Sequence, residues 1–202
     1  MGTELSNHLF DELAKKYDTK ERIALANIIQ KEVEKELEEA QNKILLDYGS
    51  GTGLVSLDLA SSVEHLYLVD SSEEMTAIAH QKIMQQSLDN VEAICHDLLE
   101  SNLEVSADII LVSLVMLHIP NTNHILKQLY QQLNPKGKLI IVDFDLNERI
   151  NDSRVHNGFD KQLLKEQLKE VGFLHLSSDT FYTGEQLFMK EDASLCLTLG
   201  YK

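Results

Sequence analysis

From residue 43 onward, short apolar runs alternate with segments of helical period, and no other feature limits the possible folds so strongly. The runs 44–48, 66–69, 91–95, 109–113 and 139–144 are too short for helices and read as buried strands. Amphipathic stretches at 53–60, 73–85 and 122–133 lie between them, the last stopped by Asn134, Pro135 and Gly137. Alternation of this kind specifies a parallel sheet with crossover helices on both faces. A further helix over 160–171 carries Leu163, Leu164, Leu168 and Val171 and is closed by Gly172. Two last strand candidates, 174–182 and 194–199, are separated only by a short segment around Gly184. That is too little for a helical crossover, so they should pair antiparallel. The expected fold is α/β: a doubly wound, mostly parallel mixed sheet with an antiparallel edge strand.

Ahead of the sheet, Leu25, Ile29, Val33 and Leu37 recur every four residues between Thr19 and about Ala40. Glu32, Glu34, Glu36, Glu38 and Glu39, interleaved with Lys31 and Lys35, fill the remaining faces, which describes a solvated amphipathic helix. Upstream, Phe10, Leu13, Ala14 and Tyr17 share one helical face. Residues 1–40 therefore read as an N-terminal helical cap on a core of 43–202, within a single domain spanning 1–202.

Charge and cysteine usage narrow the partners. With 33 Asp plus Glu against 18 Lys plus Arg, the net charge is -15 and no basic cluster offers a footprint for nucleic acid or an anionic membrane. The start lacks the charged and apolar regions of a signal peptide, and no apolar run approaches a membrane span, so a cytoplasmic setting is expected. Cys95 and Cys196 each sit in a strand candidate with no paired spacing and read as buried, reduced thiols. His96, His118, His124, His156 and His175 show no i, i+4 pair, so no bound metal is expected.

In sheets of this class ligands bind at the carboxyl ends of the strands, where strand order reverses, and the first strand should mark that point. It runs into Asp47-Tyr48-Gly49-Ser50-Gly51-Thr52-Gly53, where glycines let the backbone turn sharply and approach a ligand, followed by a helix with unpaired N–H groups. A dinucleotide fingerprint would need glycine at position 54, which is Leu54, and no G-x-x-x-x-G-K occurs for a nucleoside triphosphate. Three acids stand instead at strand ends. Asp47 precedes the glycines, and Asp70, 17 residues beyond Gly53, can accept both hydroxyls of a ribose. Asp97 can accept a hydrogen bond from an exocyclic amine. Together they describe an adenosyl ligand with a positive end. The plainer alternative makes these aspartates strand-end turn formers.

These motifs, with Val69-Asp70-Ser71-Ser72-Glu73-Glu74-Met75, His96-Asp97-Leu98, the 107–113 strand and Leu133-Asn-Pro-Lys-Gly-Lys-Leu139, resemble the class I S-adenosylmethionine-dependent methyltransferases, small single-domain subgroup, over about residues 43–200. The resemblance implies a Rossmann-like core, S-adenosyl-L-methionine as methyl donor and S-adenosyl-L-homocysteine as product. It further implies that Asp47 serves the methionine ammonium, Gly49, Ser50, Gly51, Thr52 and Gly53 line methionine and ribose, and Asp70 binds the ribose hydroxyls. Asp97 would read the adenine amine, with the Leu98 backbone against the ring, Ser71 and Met75 packing nearby, and Ser113 flanking the methionine end. The segment from Phe10 to Asp18 resembles the entry segment of ubiquinone/menaquinone-type methyltransferases, where Tyr17 would reach toward the donor.

Methyl transfer from a sulfonium releases a neutral thioether, so positioning dominates and a base is needed only for a protonated acceptor. Tyr17, His118, Asp145 and His156 are the candidates for that base or for orienting the acceptor. After Ser113 the chain reads Leu114-Val115-Met116 rather than the Asn/Asp-Pro-Pro-aromatic tetrad of base-amino methyltransferases, and no Pro-Cys pair serves cytosine chemistry. A small-molecule acceptor is expected, with oxygen, nitrogen or carbon open. A catalytically silent donor-binding subunit is the other reading, and product formation separates the two.

Overall fold

The computed structural model describes residues 11, 13–101 and 103–202; Phe10 and the rest of 1–10, which carry part of the expected cap, lie outside the described residues. Among these residues seven strands form one sheet in the order β3-β2-β1-β4-β5-β7-β6: β1 Ile44–Tyr48, β2 His65–Asp70, β3 Val91–Cys95, β4 Ala107–Ser113, β5 Leu133–Phe144, β6 Leu174–Phe188 and β7 Glu191–Tyr201. The first five pair in parallel, and strand order reverses between β1 and β4, where the sequence placed it. Strand β7 runs antiparallel between β5 and the outermost β6, so the mixed region is one edge of the sheet.

Among the described residues four α-helices with stated bounds cover the sheet, each started by a side chain that accepts an otherwise orphaned N–H. Thr19 caps α1 (Lys20–Lys35), Ser72 caps α2 (Glu73–Gln86), Asn121 caps α3 (Thr122–Gln132) and Asp160 caps α4 (Lys161–Val171). Helix α1 buries Ala26, Ile29 and Val33 and leaves most of its glutamates in solvent, although Glu36 just past its end pairs with Lys138 at 2.9 Å. The core lies on both faces of β1, β4 and β5, where Leu45, Leu46, Ile110, Leu111 and Ile140 are fully buried.

Four local expectations change. The stretch 53–60 forms no α-helix: only a 3-10 turn at Leu57–Ser62 follows the glycines, and the Asn90 side chain, not a following helical N–H, takes the Ala60 carbonyl at 2.8 Å. Asn134 to Gly137 stop the helix as expected, but they belong to the next strand, which was expected only from 139. Helix α3 passes directly into β5, with Lys136 at φ +67 and an irregular register against Ala107 and Ile109. Gly184 lies inside β6, opposite Ala193, and the hairpin turns at Met189 and Lys190, both left-handed. Cys196 is buried, but Cys95 is exposed, because it ends the edge strand β3.

Candidate functional site

The glycine loop leaves β1 at the centre of the sheet and is tied to β2 at once: the N–H groups of Gly49 and Ser50 both donate to the Val69 carbonyl, at 2.7 and 3.1 Å. Gly49 is left-handed at φ +73, and a Cβ there would lie 2.3 Å from Val115 Cγ2, so the loop and the segment after β4 interlock only around a glycine. Gly51, at φ +55, would meet only Tyr17 Cε1 at 3.8 Å, which leaves backbone open toward a ligand.

Two adjoining cavities share this loop. The smaller, about 100 Å³, is lined by Asp70, Ser71, Met75, Asp97 and Tyr48 among others. The larger, about 990 Å³, is lined by Asp47, Ser50, residues of α1, the end of β5, the 153–155 loop and the β6–β7 turn. Tyr17, Gly49, Gly51, Ser113, Leu114 and His118 line both. The Ser113 hydroxyl, at the tip of β4, is buried without a hydrogen-bond partner among the described residues and borders both cavities.

The three strand-end acids differ in their surroundings. Asp47 is 2% exposed and accepts a hydrogen bond from Ser56, and burial pushes its carboxyl up to about 7. It is not a solvated turn former. Asp70 does organise a turn, accepting the Gly51 N–H at 2.7 Å and the Ser72 N–H at 2.9 Å, and burial raises its pKa. The N–H of Gly51 is thus spent on Asp70 rather than offered to a ligand. Asp97 accepts the Leu99 N–H at 2.8 Å and the Tyr48 hydroxyl at 3.3 Å. Turn-forming and cavity-lining coexist in Asp70 and Asp97.

Other expected site residues fall elsewhere. Leu98 is fully buried in the core, and Leu99 faces the smaller cavity instead. Thr52 and Gly53 line neither cavity: the Thr52 hydroxyl donates to Asp18 at 2.6 Å and accepts from Lys82 at 3.1 Å, while Gly53 packs on Leu57 and Leu68. Lys82 also pairs with Asp18 at 2.7 Å, lashing the segment before α1 to the glycine loop. His156 does not reach a cavity. Its Nε2 is engaged with the Ile119 carbonyl at 2.9 Å, and its ring leans on Phe159. Asp145 is likewise held away, accepting from Lys161 at 3.2 Å and Thr180 at 2.6 Å. Of the four base candidates only Tyr17 and His118 line the cavities. Burial raises the Tyr17 phenol and lowers the His118 imidazole, so Tyr17 keeps its proton and His118 is neutral near pH 7.

Three contributors escaped the sequence reading. Tyr48, between Asp47 and Gly49, buttresses Asp97. Leu114 is left-handed at φ +56 and lines both cavities, a strained non-glycine residue at the site. Asp143, fully buried on β5 and pushed up to about 7 by that burial, accepts the Leu117 N–H at 3.2 Å and so holds the turn that carries His118. Only Tyr48 left a signal, its place inside the glycine motif.

Comparison with known proteins gives a consistent picture. A family model described as a methyltransferase domain matches residues 39–187. An uncharacterized methyltransferase of Bacillus cereus is 30% identical over 188 residues, covering 89% of this chain and 81% of that protein. A ubiquinone/menaquinone biosynthesis C-methyltransferase of Geotalea daltonii is 27% identical over 151 residues, covering 70% of this chain and 63% of its own. The chain thus spans between half and two thirds of the length of some curated relatives it matches. Among solved structures, a Haemonchus contortus phosphoethanolamine N-methyltransferase in complex with S-adenosyl-L-methionine superposes with a TM-score of 0.72 at 15% identity, covering 86% of this chain and 52% of that one.

Proposed function

We propose, from the premise that this chain belongs to the methyltransferase domain family, that it transfers a methyl group from S-adenosylmethionine to a small-molecule acceptor. The observation that carries the reading is the convergence of Asp47, Asp70 and Asp97, from the ends of β1, β2 and β3, on adjoining cavities that share one glycine loop. The unpartnered Ser113 hydroxyl and the open backbone at Gly51 fit an adenosyl ligand whose nucleoside enters the smaller cavity and whose amino-acid end faces Asp47. The smaller cavity is below the ~300 Å³ of typical ligand pockets, so the donor spans both cavities across the Tyr17, Gly49, Gly51 and Ser113 lining they share.

Bound there, the donor supplies an electrophilic methyl on a sulfonium whose departure needs no acid. The chain's own residues do the rest. Asp70 takes the ribose hydroxyls, Asp97 with Tyr48 behind it takes the adenine amine, and Asp47 takes the ammonium. Ser71, Met75 and the backbone beside Asp97 pack around the ring, and Ser50 faces the amino-acid end. His118, neutral and shared by both cavities, accepts the acceptor's proton where there is one. Tyr17 keeps its proton and orients by donating a hydrogen bond. Holding the acceptor in a near-attack arrangement supplies the larger share of the rate.

The proposal includes a single domain with 43–202 as core and 1–40 as cap, a cytoplasmic setting supported by two unpaired cysteines, and no nucleic-acid partner, in keeping with the net charge of -15. The test is S-adenosylhomocysteine formation on incubation with labelled donor and metabolite extracts. Replacing His118 with Ala should lower turnover about 10²-fold while donor affinity stays within about threefold. Donor binding without product in any extract would reduce the protein to a silent binder.

A further inference from the structure

The larger cavity departs from the charge of the chain around it. The chain carries 33 acids against 18 Lys plus Arg, yet the charged lining of this cavity is Arg22 and Arg154 against one carboxyl, Asp47. The two arginines are not equivalent. Arg154 is exposed and already paired with Asp152 at 2.6 Å. Arg22 is half-buried and has no acidic partner among the described residues. Its Nη1 donates to the Tyr17 carbonyl at 3.1 Å, and its guanidinium lies 4.2 Å from the Tyr17 ring centroid.

A guanidinium presents five N–H donors in a fork that matches a carboxylate, and among the described residues one hydrogen bond engages it, to the Tyr17 carbonyl. A cation partly withdrawn from water beside apolar walls attracts an anion more strongly than one in bulk solvent does. Those walls come from the same helix, which adds Leu25 and Ile29 one and two turns on, and from Leu117 and Phe144. Arg22 lines the larger cavity alone, whereas Asp70 and Asp97 line the smaller one alone.

We propose that the larger cavity takes an amphipathic acceptor, its apolar body against Leu25, Ile29, Leu117 and Phe144 and its carboxylate held by Arg22. Calling this molecule the acceptor rests on the methyl-transfer reading; the preference for an apolar anion does not. The donor's own carboxylate is the rival partner for Arg22, and the test separates the two sources.

Octanoate, octylamine and 1-octanol are titrated calorimetrically into the full chain, with and without saturating S-adenosylhomocysteine, for wild type, Arg22→Gln and Arg22→Lys. S-adenosylhomocysteine and 5′-methylthioadenosine, which lacks the amino-acid end, are titrated into the same proteins. Octanoate should bind at least about tenfold tighter than the other two, in line with a charge-assisted pair. That preference should shrink below about threefold in Arg22→Gln and survive in part in Arg22→Lys, with thermal unfolding confirming that both variants fold. Equal binding of the three probes, or a preference that Arg22→Gln leaves intact, overturns the proposal. So does a loss of S-adenosylhomocysteine affinity in Arg22→Gln with 5′-methylthioadenosine unaffected, which would assign Arg22 to the donor. Absence of any adenosyl binding by wild type refutes methyl transfer instead, and leaves the octanoate preference readable without it.

Discussion

The two cavities are built on different plans. The smaller one is local and the more polar of the two: its acids, Asp70 and Asp97, stand at the ends of the neighbouring parallel strands β2 and β3 and are held by backbone N–H groups two residues away or across one strand pair. The larger one is mainly apolar and composite, walled by α1, the glycine loop, the end of β5, the 153–155 loop and the β6–β7 turn. A site made from consecutive strand ends inherits its geometry from the sheet. A site made from several distant segments, the 113–120 stretch after β4 among them, depends on how each of them packs.

The largest expected effect breaks the larger cavity without touching the smaller. Phe188 is 5% exposed and stacks on Phe144 with ring centroids 4.2 Å apart, anchoring the β6–β7 turn beside the end of β5. Phe188→Ala should cost about 3 kcal/mol of stability, seen by chemical denaturation, and weaken octanoate while sparing S-adenosylhomocysteine at temperatures where the protein is folded. Equal losses for both ligands would show that the cavities are one mechanical unit.

Asp70→Ala makes the converse cut. Losing a carboxylate that holds two N–H groups and, in the proposed complex, meets the ribose should weaken S-adenosylhomocysteine by about 2 kcal/mol in calorimetric titration and leave octanoate within about threefold. An undiminished adenosyl affinity would remove the nucleoside from the smaller cavity.

The smallest effect is a pH dependence. Burial disfavours the charged form of Asp47 and pushes its carboxyl up to about 7, so below that pH it binds a proton and, in the proposed complex, no longer meets the ammonium as a carboxylate. Adenosyl affinity should fall by about 1.4 kcal/mol per pH unit below about 7, and Asp47→Asn should flatten the slope. Stability runs the other way. The folded pKa lies above the unfolded 3.8, so the folded state holds more protons between roughly pH 4 and 7, and this contribution is lost as pH rises through that window. Asp143, also near 7, acts in the same direction. A donor affinity independent of pH would take Asp47 out of the ligand's reach.

Much of the smaller cavity was legible because its residues sit in contiguous motifs: strand, acid, glycines, then the next strand and its acid. Even there, side-chain direction was not. Leu98 and Leu99 are neighbours of similar character, and only the path of the chain after β3 decides that Leu98 enters the core and Leu99 the cavity. His156 and Asp145 stood close in sequence to a pocket-forming loop, but the Ile119 carbonyl and Lys161 with Thr180 hold them aside. The turn at Met189 and Lys190 lacks the Asn-Gly or Gly chemistry that announces left-handed hairpin residues, so its position was invisible.

The sequence by itself determined the parallel core, its switch point between β1 and β4, the antiparallel pairing of the last two strands and the three acids at strand ends, because periodicity and turn chemistry are local. The tertiary structure alone decided which side chains meet: Ser56 on Asp47, Tyr48 on Asp97, Asp143 under the His118 turn and Arg22 at the wall of the larger cavity. Those contacts join residues brought together by packing rather than by motif, and the desolvation that moves Asp47, His118 and Asp143 from their ordinary pKa values exists only once the surrounding segments have closed over them.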